Sequence, residues 1–151
     1  MVELEIKNLK QTKLVAKFLA ETVKPVLIKE KKLLLILRGE LGSGKTTFAQ
    51  IFGRSLGVKG KIKSPTFILW QIYPFKLKGQ TFRFNHLDLY RLKNRAEVKS
   101  LVGPDLIQAG DIFLIEWGEK LTGRVKAPRF NLDFKMIGPS QRLISIDYAK
   151  K

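Results

Sequence analysis

The sequence predicts an α/β protein with a mixed central sheet and flanking helices. Two short segments, Leu33–Leu37 and Ile112–Ile115, are apolar at every position, which is typical of strands buried on both faces of a parallel sheet. Other segments alternate apolar and polar side chains, as half-buried strands do. Because both kinds of strand occur in one chain, we expect a mixed sheet on which the helices pack.

The amino-terminal third begins with a strand and a helix. Val2–Lys7 alternates apolar and charged residues, which predicts a half-buried strand. Thr12 then stands before apolar residues at helical spacing, and is the predicted N-cap of this helix. Those apolar residues are Leu14, Val15, Phe18 and Leu19. After the buried strand at 33–37, Thr46–Leu56 is expected to be helical, with Gly57 as its C-cap.

The rest of the chain predicts two pairs of antiparallel strands around a broken helix. The strands Phe67–Tyr73 and Thr81–Leu87 are joined by a turn-rich segment in a predicted hairpin. Asn94–Gln108 is expected to be helical in pieces, interrupted at Gly103-Pro104. A closing pair, Phe130–Met136 and Arg142–Tyr148, is predicted across Gly138-Pro139.

Length and composition limit the protein to a few classes. A chain of 151 residues and 17.3 kDa predicts a single domain over residues 1–151. It has no Cys, which excludes disulfides and thiol nucleophiles, and one His, His86, which excludes a multi-histidine metal site. The longest apolar run falls far short of the ~20 residues that span a bilayer. The acidic amino terminus is unlike a signal peptide, so we expect a cytoplasmic protein with no membrane partner.

The chain is strongly basic. Lys and Arg number 29 against 13 Asp and Glu, giving a formal charge of +16 and a pI near 10.2. Such a charge suits a polyanion such as RNA, DNA or an anionic lipid. The basic excess is spread along the chain and forms no tail, so a merely lysine-rich surface stays an equal alternative.

A phosphate-binding motif follows the first buried strand. Gly39-Glu-Leu-Gly-Ser-Gly-Lys-Thr46 matches the P-loop pattern at every fixed position, between a predicted strand and a predicted helix. Glycines let the backbone N–H groups wrap a phosphate, Lys45 reaches the β- and γ-phosphates, and the Thr46 hydroxyl ligates Mg²⁺. The sequence therefore predicts a P-loop NTPase-type domain. It lacks an Asn-Lys-x-Asp guanine motif, which favours ATP.

Two carboxylates are candidates for the magnesium site. Glu116 follows the apolar strand 112–115 in the manner of a Walker B acid, and Asp88 ends the alternating strand that contains His86. Glu116 is the stronger candidate because its strand is predicted to be central. A surface carboxylate or a helix cap stays the alternative for each.

Four motifs occur in an order that resembles the TsaE (YjeE) family. They are Leu37-Arg-Gly-Glu-Leu-Gly-Ser-Gly-Lys-Thr-Thr47, Lys63-Ser-Pro-Thr-Phe67, His86-Leu-Asp-Leu-Tyr-Arg-Leu92 and Ile115-Glu-Trp117. The resemblance implies a cytoplasmic, weak, partner-dependent Mg-ATPase of bacterial tRNA threonylcarbamoyladenosine (t6A) modification. It also implies that the partners are TsaD and TsaB. The ATPase supports cycling of their complex and does not itself transfer the threonylcarbamoyl group. Contact with tRNA is expected through that complex, and direct contact is left open.

The resemblance also implies roles for individual residues. Thr46 and Glu116 are similar to the Mg²⁺ ligands, and Thr66 and Asp88 lie in segments similar to two nucleotide-sensing switches. With Lys45, Thr66 and Asp88 form the expected catalytic set. The residues implied to contact the nucleotide are Thr12, Gly42, Ser43, Gly44, Lys45, Thr46, Thr47 and Arg142.

Several of these roles stay open on chemical grounds. Thr66 can place a hydroxyl or a carbonyl on Mg²⁺ or the γ-phosphate, or can be a strand-entry residue. Asp88 can orient the attacking water, or hold Arg91 against transition-state charge. His86 is more often a structural hydrogen-bonding residue than a base, and core packing is the default for Trp117.

Two other functions compete with the ATPase hypothesis. A small-molecule or nucleoside kinase can use the same loop, although the chain shows no arginine-rich lid segment. A non-enzymatic basic RNA-binding module is the third reading, although no aromatic RNP motif is present.

Overall fold

The strands of the computed structural model, which describes residues 1–103, 105–121 and 125–150, form one seven-stranded sheet. The strands are β1 (Val2–Ile6), β2 (Lys32–Gly39), β3 (Trp70–Leu77), β4 (Gln80–Asp88), β5 (Asp111–Glu116), β6 (Arg129–Met136) and β7 (Arg142–Ala149). Their order is β1-β7-β6-β2-β5-β4-β3. The central strands β6, β2, β5 and β4 run parallel, and the three outer pairings are antiparallel. The predicted mixed α/β fold is confirmed.

Helices cover both faces of this sheet, which explains the two wholly apolar strands. The helices are α1 (Leu9–Glu30), α2 (Lys45–Leu56) and α3 (Arg95–Leu101), and Gly118–Lys120 adds a 3₁₀ turn. Leu33, Leu35 and Leu37 of β2 lie in the core cluster that contains α1 and α2. Leu34 and Ile36 lie in the opposite cluster, which includes α3. Residues 33–37 of β2 are therefore buried against protein on both faces of the sheet, as in other parallel sheets.

The first helix begins earlier than the sequence pattern predicts. Asn8, not Thr12, is its N-cap, and its side chain accepts a hydrogen bond from the Gln11 N–H at 3.0 Å. Thr12 lies within the helix and is buried. The predicted apolar face is wrong in part, because Leu14 and Phe18 are exposed. The buried face consists of Thr12, Ala16, Leu19, Ala20, Val23 and Leu27, whose small residues allow close packing on α2.

The other predicted elements are confirmed with shifted bounds. The hairpin exists, but its strands meet at Lys78-Gly79, where both residues have positive φ. Residues 67–69 precede the strand, and Leu69 has a φ of 69°. In the predicted 94–108 helix only Arg95–Leu101 is helical, and Pro104 lies outside the described residues. The Gly57 C-cap and the turn across Gly138-Pro139 are as predicted.

The sheet brings the carboxyl ends of β2, β5 and β4 together. Register pairs Leu37 of β2 with Glu116 of β5, and pairs Glu116 with Asp88 of β4. Since these strands are parallel, their carboxyl ends lie side by side, and ligands of open α/β sheets bind at such ends. The loop after β2 therefore faces both carboxylates.

Within the part of the chain that the structure describes, no helix is both long and apolar enough to cross a membrane. The single-domain organisation and the cytoplasmic location stay predictions.

Candidate nucleotide-binding site

The loop between β2 and α2 depends on glycine at two tight positions. Gly39 has a φ of 136°, and a Cβ there would lie 2.3 Å from the carbonyl oxygen of Phe134. Gly44 is the N-cap of α2 with a φ of 99°, and its Cβ would lie 3.0 Å from Nε of Arg142. Because only glycine fits these conformations and spaces, the chain can turn sharply from strand to helix. The loop thereby leads directly into the amino terminus of α2, where backbone N–H groups favour an anion.

Lys45 is buried and held within its own loop. Its Nζ donates to the carbonyl oxygens of Gly39 and Glu40 at 2.6 and 2.8 Å, and lies 3.4 Å from Oγ of the buried Ser43. The ammonium also lies 4.2 Å from the ring centroid of Trp117. Burial lowers the pKa of Lys45 from its ordinary value, and the nearby Glu116 carboxylate opposes that effect. Lys45 is thus a charge partly removed from water, next to the place where phosphate is expected.

Thr46 and Glu116, the two predicted metal ligands, are hydrogen-bonded to each other. The Thr46 hydroxyl donates to Oε2 of Glu116 at 2.7 Å, although 70 residues separate them. The other carboxylate oxygen, Oε1, lies 2.7 Å from Nε2 of His86, and both side chains are fully buried or nearly so. His86 is therefore a hydrogen-bonding partner of the candidate metal ligand, in agreement with the structural reading of this residue. Glu116 is held at both oxygens.

These oxygens fit the chemistry of Mg²⁺. A hydroxyl and a carboxylate at hydrogen-bond distance are hard donors of the type that Mg²⁺ prefers, and Mg²⁺ in NTPases takes its remaining ligands from water and phosphate. No group of three or more His, Cys, Asp or Glu side chains suited to a metal ion occurs among residues 1–103, 105–121 and 125–150. A magnesium ion at this site would therefore depend on the nucleotide as well as on the protein.

Asp88 and Thr66 form a second hydrogen-bonded pair beside the first. The Thr66 hydroxyl donates to Oδ2 of Asp88 at 2.9 Å, and Oδ1 accepts the Tyr90 N–H at 2.9 Å. Ser64 Oγ lies 2.8 Å from the Thr66 hydroxyl and extends this network. The carboxylate is thereby fixed in orientation. Asp88 is 3% exposed, so the carboxylate is also shielded from bulk water.

Arg91 does not pair with Asp88. Its guanidinium lies over the ring of Phe67, 4.4 Å from the centroid, and the described residues include no ion pair between it and Asp88. Of the two alternatives for Asp88, the one in which it holds Arg91 is therefore not seen. The water-orienting alternative stays a prediction.

Arg142 reaches the loop from the start of β7, which lies two strands from β2 in the sheet. Its Nε donates to the carbonyl oxygen of Ser43 at 2.7 Å, so β7 is connected to the loop through this side chain. Arg142, Thr47 and Gly44 also line an adjoining cavity with Thr12. The Thr12 hydroxyl lies 3.5 Å from the Asn8 carbonyl oxygen.

Most of the predicted site residues line a single cavity. Nine of them are there, and the cavity also includes Leu41, Tyr90 and Trp117, which sequence reasoning did not place in the site. Ser43 is buried beneath the cavity and Thr12 lies in the adjoining one. The nine residues are Gly42, Gly44, Lys45, Thr46, Thr47, Thr66, Asp88, Glu116 and Arg142.

Sequence reasoning missed Lys120. Its Nζ donates to three main-chain carbonyl oxygens, those of Leu89, Tyr90 and Leu92, at 3.0, 2.6 and 3.0 Å. This lysine thus holds the segment that follows Asp88. No local signal could have found it, since its partners lie about 30 residues earlier in the chain.

The strand, the glycine loop and the helix that starts with Lys45-Thr46 follow one another in the order of the P-loop pattern. A family model described as "Threonylcarbamoyl adenosine biosynthesis protein TsaE" matches residues 6–144. The chain belongs to the TsaE family.

Individual relatives agree with this assignment. The tRNA threonylcarbamoyladenosine biosynthesis protein TsaE of Rickettsia felis is 35% identical over 93% of this chain and 77% of its own length. The protein of the same name from Bacillus subtilis is 29% identical over 91% of this chain and 80% of its own length. The crystal structure of Bacillus subtilis YdiB superposes with a TM-score of 0.68, at 24% identity, over 99% of this chain and 86% of that one. This structural likeness supports the fold.

Proposed function

We propose that this chain binds Mg-ATP at the loop and hydrolyses it in support of t6A modification of tRNA. The observation that carries the proposal is the hydrogen bond between Thr46 and Glu116, beside the buried Lys45 and at the carboxyl ends of adjacent parallel strands. In P-loop NTPases a helix-start hydroxyl and a strand-end carboxylate hold Mg²⁺ next to the phosphate-binding lysine. Membership of the TsaE family supplies the pathway.

Lys45 is the residue whose contacts change most on binding. Its ammonium now donates to two loop carbonyls, and phosphate oxygens carry more negative charge than these carbonyls do. We expect Lys45 to turn towards the β- and γ-phosphates, while the backbone N–H groups from Gly42 to Thr47 surround them. When bound, Mg²⁺ neutralises phosphate charge, and Thr46 and Glu116 would hold it.

We infer that Asp88 orients the water that attacks. Its carboxylate is fixed by Thr66 and by the Tyr90 N–H, and it lines the same cavity as Lys45. The water oxygen forms a bond to the γ-phosphorus while the bond from that phosphorus to the bridging oxygen breaks, which gives ADP and phosphate. Lys45 stabilises the charge that develops on the phosphoryl oxygens.

The partner dependence rests on family membership. We infer that a TsaB–TsaD complex engages this chain and that nucleotide state controls the association, in the cytoplasm. The test is gel filtration of the chain with both proteins, with and without ATP, alongside Asp88→Asn. Co-elution that changes with ATP supports the proposal. No association under any nucleotide condition contradicts the pathway, and a phosphorylated acceptor in place of free phosphate contradicts hydrolysis.

A further inference from the structure

Acidic residues are distributed much less evenly along the chain than basic ones. Between Glu40 and Asp88 there is no Asp or Glu at all. The same stretch has eight basic residues: Lys45, Arg54, Lys59, Lys61, Lys63, Lys76, Lys78 and Arg83. The stretch folds into α2, the connection to β3, and the β3–β4 hairpin, and β3 is an edge strand of the sheet.

Two of these eight residues are committed to other contacts. Lys45 is within the phosphate loop, and Arg83 pairs with Asp111 at 2.7 Å. The other six are exposed, and none of them makes an ion pair with a described residue. We call these six the basic edge: Arg54, Lys59, Lys61, Lys63, Lys76 and Lys78.

The connection before β3 and the hairpin, which carry five of the six residues of the basic edge, lie against each other. The lysines at 59, 61 and 63 alternate with the buried Val58 and Ile62, which anchor the connection to the core. The Lys63 N–H donates to the Tyr73 hydroxyl at 3.1 Å, so this connection lies against β3. Lys59 and Lys76 line one cavity, which joins the connection to the hairpin.

We propose that the basic edge binds the phosphate backbone of tRNA directly. This inference rests on the proposed function, and it adds a contact with tRNA that the nucleotide site does not require. Exposed basic side chains that make no ion pair with a described residue attract a polyanion such as a nucleic acid. Phosphates are the part of a nucleic acid that such lysines contact irrespective of sequence. RNA is the polyanion favoured here because the family acts in tRNA modification.

A matched pair of variants separates this surface from total charge. The test variant carries Lys59→Gln, Lys61→Gln and Lys76→Gln, which lie outside the segments similar to the nucleotide-sensing switches. The control carries Lys10→Gln, Lys13→Gln and Lys17→Gln, which removes the same charge from exposed positions on α1. Substitutions at exposed positions change stability little, and thermal unfolding checks that both variants fold.

Binding is measured by fluorescence anisotropy with an unmodified tRNA between about 50 and 200 mM salt. Each phosphate contact contributes about −0.9 to the slope of the logarithm of the association constant against the logarithm of the salt concentration. We expect the test variant to bind about tenfold or more weaker, with a slope reduced in magnitude by about 2 to 3. We expect the control to bind like the wild type. A wild type that does not bind tRNA, two variants that weaken equally, or a test variant that binds normally would each overturn the proposal.

Titration of the same proteins with Mg-ATP separates this inference from the proposed function. The wild type and both variants are expected to bind the nucleotide alike, because none of the six substituted lysines lines the nucleotide cavity. A wild type that binds Mg-ATP but no tRNA overturns the basic edge alone. One that binds tRNA but no Mg-ATP overturns the ATPase proposal alone.

Discussion

Replacement of His86 by Leu tests the hydrogen-bond network at Glu116. His86 is fully buried and Glu116 is 1% exposed, so the carboxylate oxygen that loses its partner cannot recover it from water. A hydrogen bond to a charged group contributes about 1.5–3 kcal/mol, and a swap of similar volume costs less than about 1.5 kcal/mol. We therefore expect His86→Leu to lower the free energy of unfolding by about 2–4 kcal/mol.

His86→Gln is the matched control because it retains an N–H donor. It is expected to lose only about 1 kcal/mol. Urea unfolding measures both values, with equal m-values showing that only stability has changed. A second readout is the factor by which Mg²⁺ strengthens ATP binding, which we expect to fall in His86→Leu because Glu116 is no longer held in place. Equal destabilisation by Leu and Gln, or a loss below about 1 kcal/mol for Leu, would refute the reasoning.

Three further predictions concern packing, the segment after Asp88, and pH. Gly53→Ala places a Cβ 2.5 Å from the Ile62 side chain and 2.7 Å from the Phe84 ring. The clash costs about 1–3 kcal/mol, which exceeds the ~1 kcal/mol gain in helix propensity, so thermal unfolding should shift downward. Lys120→Met removes three hydrogen bonds to main-chain carbonyl oxygens. Amide hydrogen exchange at residues 89–92 should therefore become faster, and kcat should fall by a larger factor than KM rises. Unchanged exchange would contradict this role of Lys120. Because burial lowers the pKa of Lys45, the folded chain binds that proton less tightly than the unfolded chain. The free energy of unfolding of the wild type, relative to Lys45→Met, should therefore rise with pH from the lowered pKa up to about 10.5, and a flat difference would contradict the burial argument.

The glycine loop between β2 and α2 and its flanking elements were predictable because their signals are local. A wholly apolar strand, a glycine pattern and a helix start are each contained within a few residues, and β2 and α2 form where these patterns predict. The proximity of Thr46 and Glu116 was also predictable from the sequence. It follows from the rule that parallel strands bring their carboxyl ends together.

The errors lie where tertiary packing decides between similar local patterns. Asn8 and Thr12 are both good N-cap residues, and the helix begins after Asn8, whose side chain accepts the Gln11 N–H, while Thr12 is buried within the helix. Phe18 matches a helical apolar pattern but faces outward, because the face that packs on the core contains smaller residues such as Ala16 and Ala20. The position of Arg91 over Phe67 depends on where a loop passes, which no spacing in the sequence specifies.

Trp117 illustrates contacts that a single sequence does not specify. Its backbone has a φ of 59° and its ring lies over the ammonium of Lys45, half-buried, where core packing was the default expectation. The ring and the lysine are brought together by β5 and the loop after β2, two elements far apart in the chain. Such a contact depends on the path of the chain after Glu116 as well as on strand order.

Isothermal titration with ATP, with and without Mg²⁺, tests the central claim most directly. The account predicts saturable binding by the wild type that Mg²⁺ strengthens, loss of that binding in Lys45→Ala, and loss of the Mg²⁺ effect in Glu116→Gln. The absence of Mg-ATP binding by the folded wild type, or undiminished binding by Lys45→Ala, would contradict it.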